Sequence, residues 1–388
     1  MDPENFAKTV GRLVKDEEKG YFYFVPAQLP VRLQIDDELL DLLMKASKEL
    51  GELKAISSGF SAAIGFSPLL FIRPYLTKEA VLSSKIEGTV STLYDVLDAE
   101  ASGLADKARG DLLEVINYVR AQETGIREIK QGSDINIELV AKLHAILLSR
   151  VRGEEAKPGT IREVQNYISR AGFAGMENAV YVPPKASIVG GLLDNLFSYM
   201  SSDTAPNLVK LALMHYQFEA IHPFLDGNGR IGRLLIILYL IKFGELPEPL
   251  LYVSEYFERN RDEYYERLLE VSTLGKYVEW AKFFMKGVIE QSENAIDKSS
   301  KLLEYHKEIA STIRGTRHVA LVRLIDFIFA HPILTIPMVA RELKVSYPAA
   351  KAAVLEAARL GILQYKESTV ARRPKRFVAQ RILEIYNA

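Results

Sequence analysis

The sequence lacks cysteine and long apolar stretches, and these absences narrow the classes of protein it can encode. With no cysteine among 388 residues, the chain has no disulfide, thiol nucleophile or cysteine-ligated zinc site. Its longest uninterrupted apolar run, Leu234–Ile241, has 8 residues, whereas a helix needs about 20 to cross a bilayer. The first residues, MDPENFAKTVGRL, lack the basic and then apolar layout of a signal peptide. We therefore expect a cytoplasmic protein with no membrane partner.

An excess of charge of either sign is also absent, because the net charge is -1. Such a chain has no overall attraction to nucleic acid or to an anionic membrane, so any basic patch has to be local. The hydrophobic fraction of 48% and the charged fraction of 26% are those of ordinary globular proteins. The length allows two or three domains.

Apolar residues recur mostly at spacings of three and four, which predicts a mainly α-helical fold. Leu112–Ile129 and Ile137–Leu148 show this pattern. Strand patterns are few, and the clearest, Ala179–Pro184, alternates and then stops at two prolines. Because a glycine-rich stretch precedes it, we expect an exposed hairpin or flap over Gly172–Ile188.

Polar stretches at residues 101–110 and 291–307 suggest three domains. We expect an amino-terminal helical region over residues 1–105 and a central core over residues 106–295. A linker helix and a distinct carboxy-terminal unit would then occupy residues 296–388.

The carboxy-terminal unit shows the pattern of a winged helix. Two amphipathic helices, Ile336–Leu343 and Tyr347–Leu360, flank a short turn, and the predicted strands Ile362–Tyr365 and Arg376–Ala379 follow. The loop between these strands is basic and contains Arg372, Arg373 and Lys375. From Ile333 to Ala388 there are ten Lys and Arg against four Asp and Glu, which makes this unit locally positive.

One short segment, His222–Arg233, combines a titratable base, an acid, three glycines and two arginines in the sequence HPFLDGNGRIGR. Its glycines spell G-x-G-x-x-G, but a dinucleotide-binding loop must follow a strand, and the residues before His222 have helical spacing. A β-hairpin turn fails for the same reason. A plain connection between two helices, in which His222 merely caps the first, stays open.

The same segment has the parts of a phosphate site. Glycines let backbone N–H groups face a ligand, and the first turn of the following helix adds its own N–H groups and the positive end of its dipole. Arg230 and Arg233 project from one side of that turn, and guanidinium groups suit a polyphosphate. Asp226 is a candidate Mg²⁺ ligand, and His222 could deprotonate an attacking hydroxyl. These groups predict phosphoryl or nucleotidyl transfer.

HPFLDGNGRIGR matches, at each defined position, the signature H-x-F-x-[D/E]-G-N-G-R-x-x-R, and the chain therefore resembles the Fic family. PGTIREVQNYI and LHAILLSRVRG also resemble the core of that family, and the resemblance extends over most of the chain. It implies a Fic-type helical core with a small β-hairpin flap and a carboxy-terminal winged helix. The implied activity is transfer of AMP from ATP to a Ser, Thr or Tyr hydroxyl of a protein, itself included. Some relatives transfer other groups or remove the modification.

The resemblance also implies roles for single residues. His222 resembles the general base, Asp226 the Mg²⁺ ligand and Phe224 a core anchor of the loop. The residues implied to bind ATP are Gly227, Asn228 and Gly229 as an anion hole, Arg230 on the phosphates, Arg233 on the γ-phosphate, and Tyr264 and Tyr265 at the adenine. The hairpin that contains Tyr181 resembles the flap that holds a target segment by main-chain pairing.

A second stretch, SSKIEG at Ser83–Gly88, resembles the inhibitory motif [S/T]-x-x-x-E-[G/N] of the family. Ser83 and Glu87 occupy its defined positions. The resemblance implies that Glu87 pairs with Arg233, so that the γ-phosphate of ATP loses its cation and the α-phosphate is misaligned. A solvated helix end is the alternative interpretation of these residues.

A second function class stays open, namely a nucleotide-responsive DNA-binding transcriptional regulator in which the Fic core is a sensor. The basic loop of the winged helix, with Arg376 beside it, could contact DNA phosphates. Alternatively, this unit positions targets or mediates contacts in a homodimer. The other histidines, at 144, 215, 306, 318 and 331, are scattered, and no zinc site is expected from them.

Overall fold

The computed structural model describes residues 6, 10–31, 33–64, 69–151, 157–169, 175–316, 318–366 and 375–387. Within these ranges the fold is mainly α-helical, as predicted. The helices are α1 Asp37–Ile64, α2 Leu69–Ile86, α3 Leu93–Ala101, α4 Gly110–Lys130, α5 Ile137–Leu147, α6 Ala186–Met200, α7 Asn207–Ile221, α8 Asn228–Lys242, α9 Ser254–Arg259, α10 Arg261–Leu274, α11 Tyr277–Thr312, α12 Val319–Ala330, α13 Ile336–Glu342, α14 Tyr347–Arg359 and α15 Gln380–Asn387. The strands are β1 Gly11–Lys15, β2 Phe22–Pro26, β3 Ile168–Ser169, β4 Ala179–Tyr181, β5 Ile333–Thr335, β6 Gln364–Lys366 and β7 Arg376–Val378. Among the described helices, none is both long enough and apolar enough to cross a membrane.

The chain divides into two compact units, and each is assembled from separate stretches of sequence. The first unit comprises Met1–Gly51, Arg120–Glu245 and Val253–Gln291, and the second comprises Glu52–Val119, Leu246–Tyr252 and Ser292–Ala388. The three domains expected from the sequence stay a prediction.

The first unit is built around α7 and α8, which are buried along almost their whole length. Apolar residues are spread around both helices rather than confined to one face, as expected of helices at the centre of a domain. α6 and α10 pack on α7, and α5 packs on α8. The indole N–H of Trp280, from the part of α11 in this unit, donates to the carbonyl of Ala212 at 2.8 Å. This core holds both ends of the HPFLDGNGRIGR segment.

The first unit also contains a β-hairpin that the sequence patterns did not indicate. β1 and β2 pair in antiparallel fashion, and the carboxylate of Asp16 accepts the N–H groups of Glu18 and Lys19 in the turn. Phe24 is fully buried, and its N–H donates to the carbonyl of Val182 at 2.9 Å. The hairpin therefore borders the strand β4.

The predicted flap is present with different bounds. β4 lies within the predicted range, but its antiparallel partner is β3, which precedes that range. The chain enters α6 at Ala186, before the predicted hairpin would end. Residues 170–174, between the two strands, lie outside the described residues. We call β3 and β4 together the flap.

The second unit contains the elements predicted for the carboxy-terminal part of the chain, in the predicted order. α12 packs on α2 and α14, and the strands form an antiparallel sheet in the order β5, β7, β6. The helices and strands that the sequence predicted correspond to α13, α14, β6 and β7. The wing stays a prediction, because residues 367–374, with Arg372 and Arg373, lie outside the described residues.

Arg376 does not lie in the exposed, DNA-contacting position that the sequence suggested for it. The predicted role was contact with DNA phosphates from a basic loop. Arg376 is buried instead, and its guanidinium donates to Asp98 Oδ2 at 2.8 Å. Because this ion pair satisfies the charge within the unit, Arg376 does not offer a free cation to nucleic acid. Lys375 lies over the ring of Tyr365, 5.4 Å from its centroid.

Candidate active site

Two residues with left-handed backbone bracket the loop between α7 and α8. The C-cap of α7 is His222, with φ 51° and ψ 61°. The N-cap of α8 is Gly227, with φ 76°. A left-handed residue that carries a side chain costs about 1–2 kcal/mol, so His222 keeps this backbone because its surroundings fix it. Glycine avoids that cost, and a Cβ at Gly227 would lie 3.2 Å from the side chain of Leu147.

His222 caps α7 and also presents a basic nitrogen. Its backbone N–H donates to the carbonyl of Phe218 at 3.0 Å, so the capping role proposed for it is real. Its ring Nδ1 lies 3.2 Å from the carbonyl oxygen of Glu219. Because a carbonyl can only accept, Nδ1 carries the proton, and the lone pair of the neutral ring is on Nε2. Capping and base chemistry are therefore compatible.

The loop is closed by Asn228 and anchored by Phe224. The Asn228 side chain accepts the N–H of Phe224 and donates to its carbonyl, both at 2.8 Å. Phe224 is buried, as predicted, and its ring stacks on the imidazole of His144 with centroids 3.8 Å apart. Since the amide of Asn228 is used within the loop, only its backbone N–H is offered to an anion.

His144 supports the loop, a role that the sequence did not reveal. Its Nδ1 accepts the N–H of Gly159 at 2.8 Å, so the ring proton is on Nε2, which lies 3.0 Å from the carbonyl of Asp226. Burial lowers the pKa of His144 to about 4, so the ring is neutral at pH 7. The residue before it, Leu143, and its neighbours have the spacing of any core helix, and nothing in the sequence distinguishes the ring from core packing.

The amino-terminal end of α8 is the candidate anion site. The first hydrogen bond within the helix runs from the N–H of Ile231 to the carbonyl of Gly227 at 3.1 Å. The N–H groups of such a first turn have no acceptor inside the helix, and they share the positive end of its dipole. Arg230 and Arg233 lie on this turn, and Arg233 is only 1% exposed. Helix end and guanidinium groups together suit phosphate.

Asp226 fits a Mg²⁺ ligand of the kind that shares the ion with a substrate. Its side chain is 47% exposed, and its Oδ1 lies 3.4 Å from Nη2 of Arg230. In the described part of the chain, no group of three or more His, Asp or Glu side chains could hold a metal ion. Mg²⁺ is commonly held by one or two carboxylates together with phosphates and water. A single exposed carboxylate beside a phosphate site matches that pattern.

The two tyrosines predicted at the adenine have different environments. Tyr264 is buried, and its hydroxyl lies 2.9 Å from Nε2 of His215. Its ring stacks on Phe257 with centroids 4.5 Å apart. Tyr265 is 42% exposed, and the guanidinium of Arg261 lies 5.8 Å from its ring centroid. Of the pair, Tyr265 is the residue with ring surface left for a nucleobase.

Tyr181 anchors the flap to the end of α7. The side chain is buried, and its hydroxyl donates to the carbonyl of Ala220 at 2.8 Å. Burial raises the pKa of Tyr181 far above its ordinary value, so the hydroxyl stays a donor. Ala220 lies two residues before His222, and the flap and the loop are therefore held by the same helix end.

The SSKIEG stretch lies in the second unit, at the carboxy-terminal end of α2. Ser83 is fully buried within the helix, and Glu87 is exposed immediately after the last helical residue. The N–H of Glu87 donates to the carbonyl of Ser84 at 3.0 Å. Gly88 follows with φ 99°, a backbone conformation that favours glycine. The stretch is thus a capped helix end that presents one carboxylate.

Two family models match the chain. The model described as the Fic/DOC family matches residues 134–240, which include the loop, and the model described as Fic/DOC family N-terminal matches residues 40–127. The fold and the loop define a helical core with a candidate phosphate site at the end of a helix. The chain belongs to the Fic/DOC family.

Relatives and solved structures are similar to parts of this chain. Protein adenylyltransferase fic-1 of Caenorhabditis elegans is 31% identical over 169 residues, which are 44% of this chain and 29% of the relative. The probable protein adenylyltransferase aq_aa38 of Aquifex aeolicus is 28% identical over 199 residues, which are 50% of this chain and 55% of the relative. The chain therefore spans about half of these relatives or less. A Fic family protein from Desulfovibrio desulfuricans G20 shares the fold, with a TM-score of 0.56, 20% identity, and coverage of 89% of this chain and 97% of that chain.

Proposed function

We propose that this chain is a protein adenylyltransferase that moves AMP from ATP to a Ser, Thr or Tyr hydroxyl of a protein, its own chain included. The observation that carries the proposal is the loop between α7 and α8. It presents the lone pair of His222 Nε2 beside a helix end that carries two arginines. The names of the worm and Aquifex relatives support the same reaction.

In the proposed reaction, His222 is the base. Its Nε2 takes the proton of the target hydroxyl while the hydroxyl oxygen bonds to the α-phosphorus of ATP. The bond from the α-phosphorus to the oxygen that bridges to the β-phosphorus breaks, and pyrophosphate leaves with the electron pair. The atoms and charges balance without any further reactant.

The other residues of the loop hold the nucleotide. The backbone N–H groups of Asn228 and Gly229 would donate to phosphate oxygens, and so would that of Gly227 in exchange for its present acceptor, Asp226 Oδ1 at 2.6 Å. Arg230 would contact the phosphates, and Arg233 would bind the γ-phosphate. Mg²⁺ held by Asp226 would offset the negative charge of the phosphates. Tyr265 provides the surface for adenine.

The target segment is proposed to pair with the flap. An extended peptide that adds to the edge of a strand gains main-chain hydrogen bonds that do not depend on its sequence. The flap is anchored through Tyr181 to the helix end that carries His222. Pairing there would bring a target hydroxyl toward the base.

We further propose that Glu87 restrains the activity. The SSKIEG match supports this proposal, and so does the position of Glu87, an exposed residue immediately after the last residue of α2. A carboxylate that competes for Arg233 would deprive the γ-phosphate of its partner. The nucleotide would then bind with the α-phosphate out of line for attack.

The alternative function, a nucleotide-responsive DNA-binding regulator, gains no support from Arg376, whose guanidinium is paired with Asp98. A salt-dependent shift of duplex DNA by the purified protein would favour this alternative.

The test of the proposed function is incubation of the purified chain with ATP labelled at the α-phosphorus and Mg²⁺. We expect label to remain on protein and the intact mass to rise by one or more AMP groups, with no such change for His222→Ala. ATP labelled at the γ-phosphorus should leave no label on protein. Label from the γ-phosphorus alone, or no label in either wild type or Glu87→Gly, would exclude AMP transfer.

A further inference from the structure

Arg162 is a buried cation whose described partners are main-chain carbonyl groups. Its side chain is 3% exposed. Nε donates to the carbonyl of His222 at 2.9 Å, and Nη2 donates to the carbonyl of Pro184 at 2.5 Å and to that of Ile221 at 3.4 Å. Nη1 reaches the carbonyl of Val164 at 3.4 Å. In the described part of the chain, no carboxylate is among the hydrogen-bond partners of this guanidinium.

This arrangement depends on properties that belong to arginine. Burial lowers the pKa of Arg162 to about 10, so the group is still protonated at pH 7. A buried cation without a carboxylate partner destabilises the folded state unless its N–H groups donate hydrogen bonds to other acceptors. The planar fork of the guanidinium can serve carbonyls on separate segments at once, whereas a lysine offers a single point of attachment. Two of the carbonyls, of Ile221 and His222, lie at the negative end of the α7 dipole, where a cation is favourable.

The contact with His222 bears on the direction of the imidazole. The carbonyl of His222 belongs to the peptide plane that fixes its ψ, and the residue is left-handed. Asn166 assists, because its Nδ2 donates to the carbonyl of Phe224 at 2.9 Å and lies 3.5 Å from the carbonyl of His222. With the backbone held by these donors, the bond from Nδ1 to the carbonyl of Glu219 sets the ring.

The contact with Pro184 links the same side chain to the flap. Pro184 lies three residues after β4, and the neighbouring carbonyl of Pro183 accepts from Nε2 of Gln165 at 2.8 Å. The backbone N–H of Arg162 itself donates to the carbonyl of Pro223 at 2.9 Å. One residue therefore joins the end of the flap to the residues on both sides of the candidate base.

We infer that Arg162 is a positioning residue, which holds His222 at a fixed offset from the flap so that a target hydroxyl and the base meet. The inference rests on the proposed function. It assigns Arg162 no contact with substrate. A displacement of about 1 Å between reacting groups can reduce a rate by about 10²-fold. Loss of Arg162 should therefore lower kcat without weakening the binding of nucleotide.

The test compares Arg162→Lys, which keeps the charge but not the fork, with Asn166→Ala, a milder change in the same contacts. Both are measured in wild type or in Glu87→Gly, whichever transfers AMP faster. For Arg162→Lys we expect kcat to fall by about 10²-fold, while the Kd for ATP stays within about twofold. For Asn166→Ala we expect a smaller fall of the same kind.

A matched control is Lys210→Gln. Lys210 is also 3% exposed, and its Nζ donates to the carbonyl of Ser202 at 2.6 Å, near the end of α6 and away from the loop. This variant should lower Tm and leave kcat per folded molecule unchanged. An equal loss of kcat in Lys210→Gln and Arg162→Lys would show that Arg162 has a general structural role, and would overturn the inference.

A spectroscopic measurement separates this inference from the proposed function. In protein with ¹⁵N-labelled histidine, the Nδ1–H of His222, assigned by its absence in His222→Ala, should exchange slowly with solvent in wild type and quickly in Arg162→Lys. This result is independent of any activity. If the protein does not transfer AMP but exchange of the His222 Nδ1–H is faster in Arg162→Lys, the positioning role is supported and the proposed reaction is refuted. Unchanged exchange in a folded Arg162→Lys would refute the positioning role.

Discussion

At the scale of the residue, the decisive feature is the tautomer of His222. The carbonyl of Glu219 holds the proton on Nδ1, so the lone pair of the neutral ring is on Nε2, as the proposed role of base requires. Replacing His222 would remove the proposed base but none of the backbone N–H groups that are proposed to bind phosphate. For His222→Ala we expect loss of AMP transfer by roughly 10²–10⁴-fold, with the Kd for ATP and the Tm nearly unchanged. Labelled AMP incorporation and calorimetric ATP titration measure the two effects, and an active variant would remove the base assignment.

A different prediction concerns Asp226, because its exposed carboxylate is the proposed Mg²⁺ ligand. Asp226→Ala should abolish the dependence of the rate on Mg²⁺ along with most of the rate, since the ion would no longer join protein and phosphate. Asp226→Asn is the control, since it keeps the size of the side chain and removes the charge. Rates measured over a range of Mg²⁺ concentrations should lose their saturation in both variants. Unchanged Mg²⁺ dependence would place the ligand elsewhere.

Sequence patterns identified the residues that could face the substrate but not those that hold them. His222, Asp226 and Arg230 stand together in one stretch whose composition is unusual for a helix connection. His144 and Arg162 lie far from it in the chain, and each acts through a main-chain carbonyl. A carbonyl has no residue identity, so a contact of this kind leaves no complementary residue in the sequence.

At the scale of the element, helices and strands next to glycine or proline were predictable, whereas the amino-terminal strands were not. Tyr347–Arg359 and Arg376–Val378 lie within a residue or two of their predicted bounds, because glycine and proline punctuate that region. The β1–β2 hairpin was missed, although Phe22–Pro26 is rich in strand-forming residues. Its partner strand, Gly11–Lys15, is mixed in character, and a strand pairing depends on both members.

The end of α2 carries the prediction on regulation. If Glu87 restrains Arg233, only a minor population of molecules has the arrangement that is competent for transfer. If that population is roughly 1%, full release of the restraint would raise the rate about 100-fold, equivalent to about 2.7 kcal/mol. Glu87→Gly should therefore increase self-modification steeply, as measured by AMP incorporation. If the stretch is only a solvated helix end, the rate will not change, and equal rates for wild type and Glu87→Gly would sink the autoinhibition proposal.

Arg233→Ala provides the control for that experiment. It should not raise the rate as Glu87→Gly does, because the side chain that Glu87 restrains is also the cation that the γ-phosphate needs. The double variant should stay as inactive as Arg233→Ala alone. A double variant as active as Glu87→Gly would show that Arg233 is dispensable for nucleotide binding.

At the scale of the whole molecule, buried neutral histidines make stability depend on pH. His215 is fully buried, and burial, with a smaller effect of the charge on Arg233, lowers its pKa to about 3. Between that pKa and the ordinary value near 6.5, the unfolded chain binds a proton that the folded chain does not. The stabilisation is therefore complete above pH 6.5 and is lost as the pH falls.

The expected loss is on the order of 1 kcal/mol from His215 for each pH unit below 6.5. Urea unfolding at pH 7.5 and at pH 5.5 measures it as a fall in the free energy of unfolding. His215→Gln keeps a polar group near Tyr264 but does not titrate, so its pH dependence should be shallower. The same slope in this variant as in wild type would contradict the assignment.

The hydrogen bond from Trp280 to Ala212 has a consequence for synthesis of the chain. α7 and α8 are buried along almost their whole length, and part of what covers them comes from residues that the ribosome makes later. At about 5–20 residues per second, synthesis of the stretch from the end of α8 to Trp280 takes roughly 2–8 seconds. During this time the surface of α7 around Ala212 is not covered by the indole of Trp280. A nascent chain halted with residue 245 just clear of the exit tunnel should therefore be cut by protease within α7, and one with residue 291 clear of the tunnel should be protected there. Equal cutting of the two would mean that the rest of the unit covers α7 before Trp280 arrives. The loop between α7 and α8 would thus be among the last parts of its unit to gain a fixed shape, although it lies near the middle of the chain.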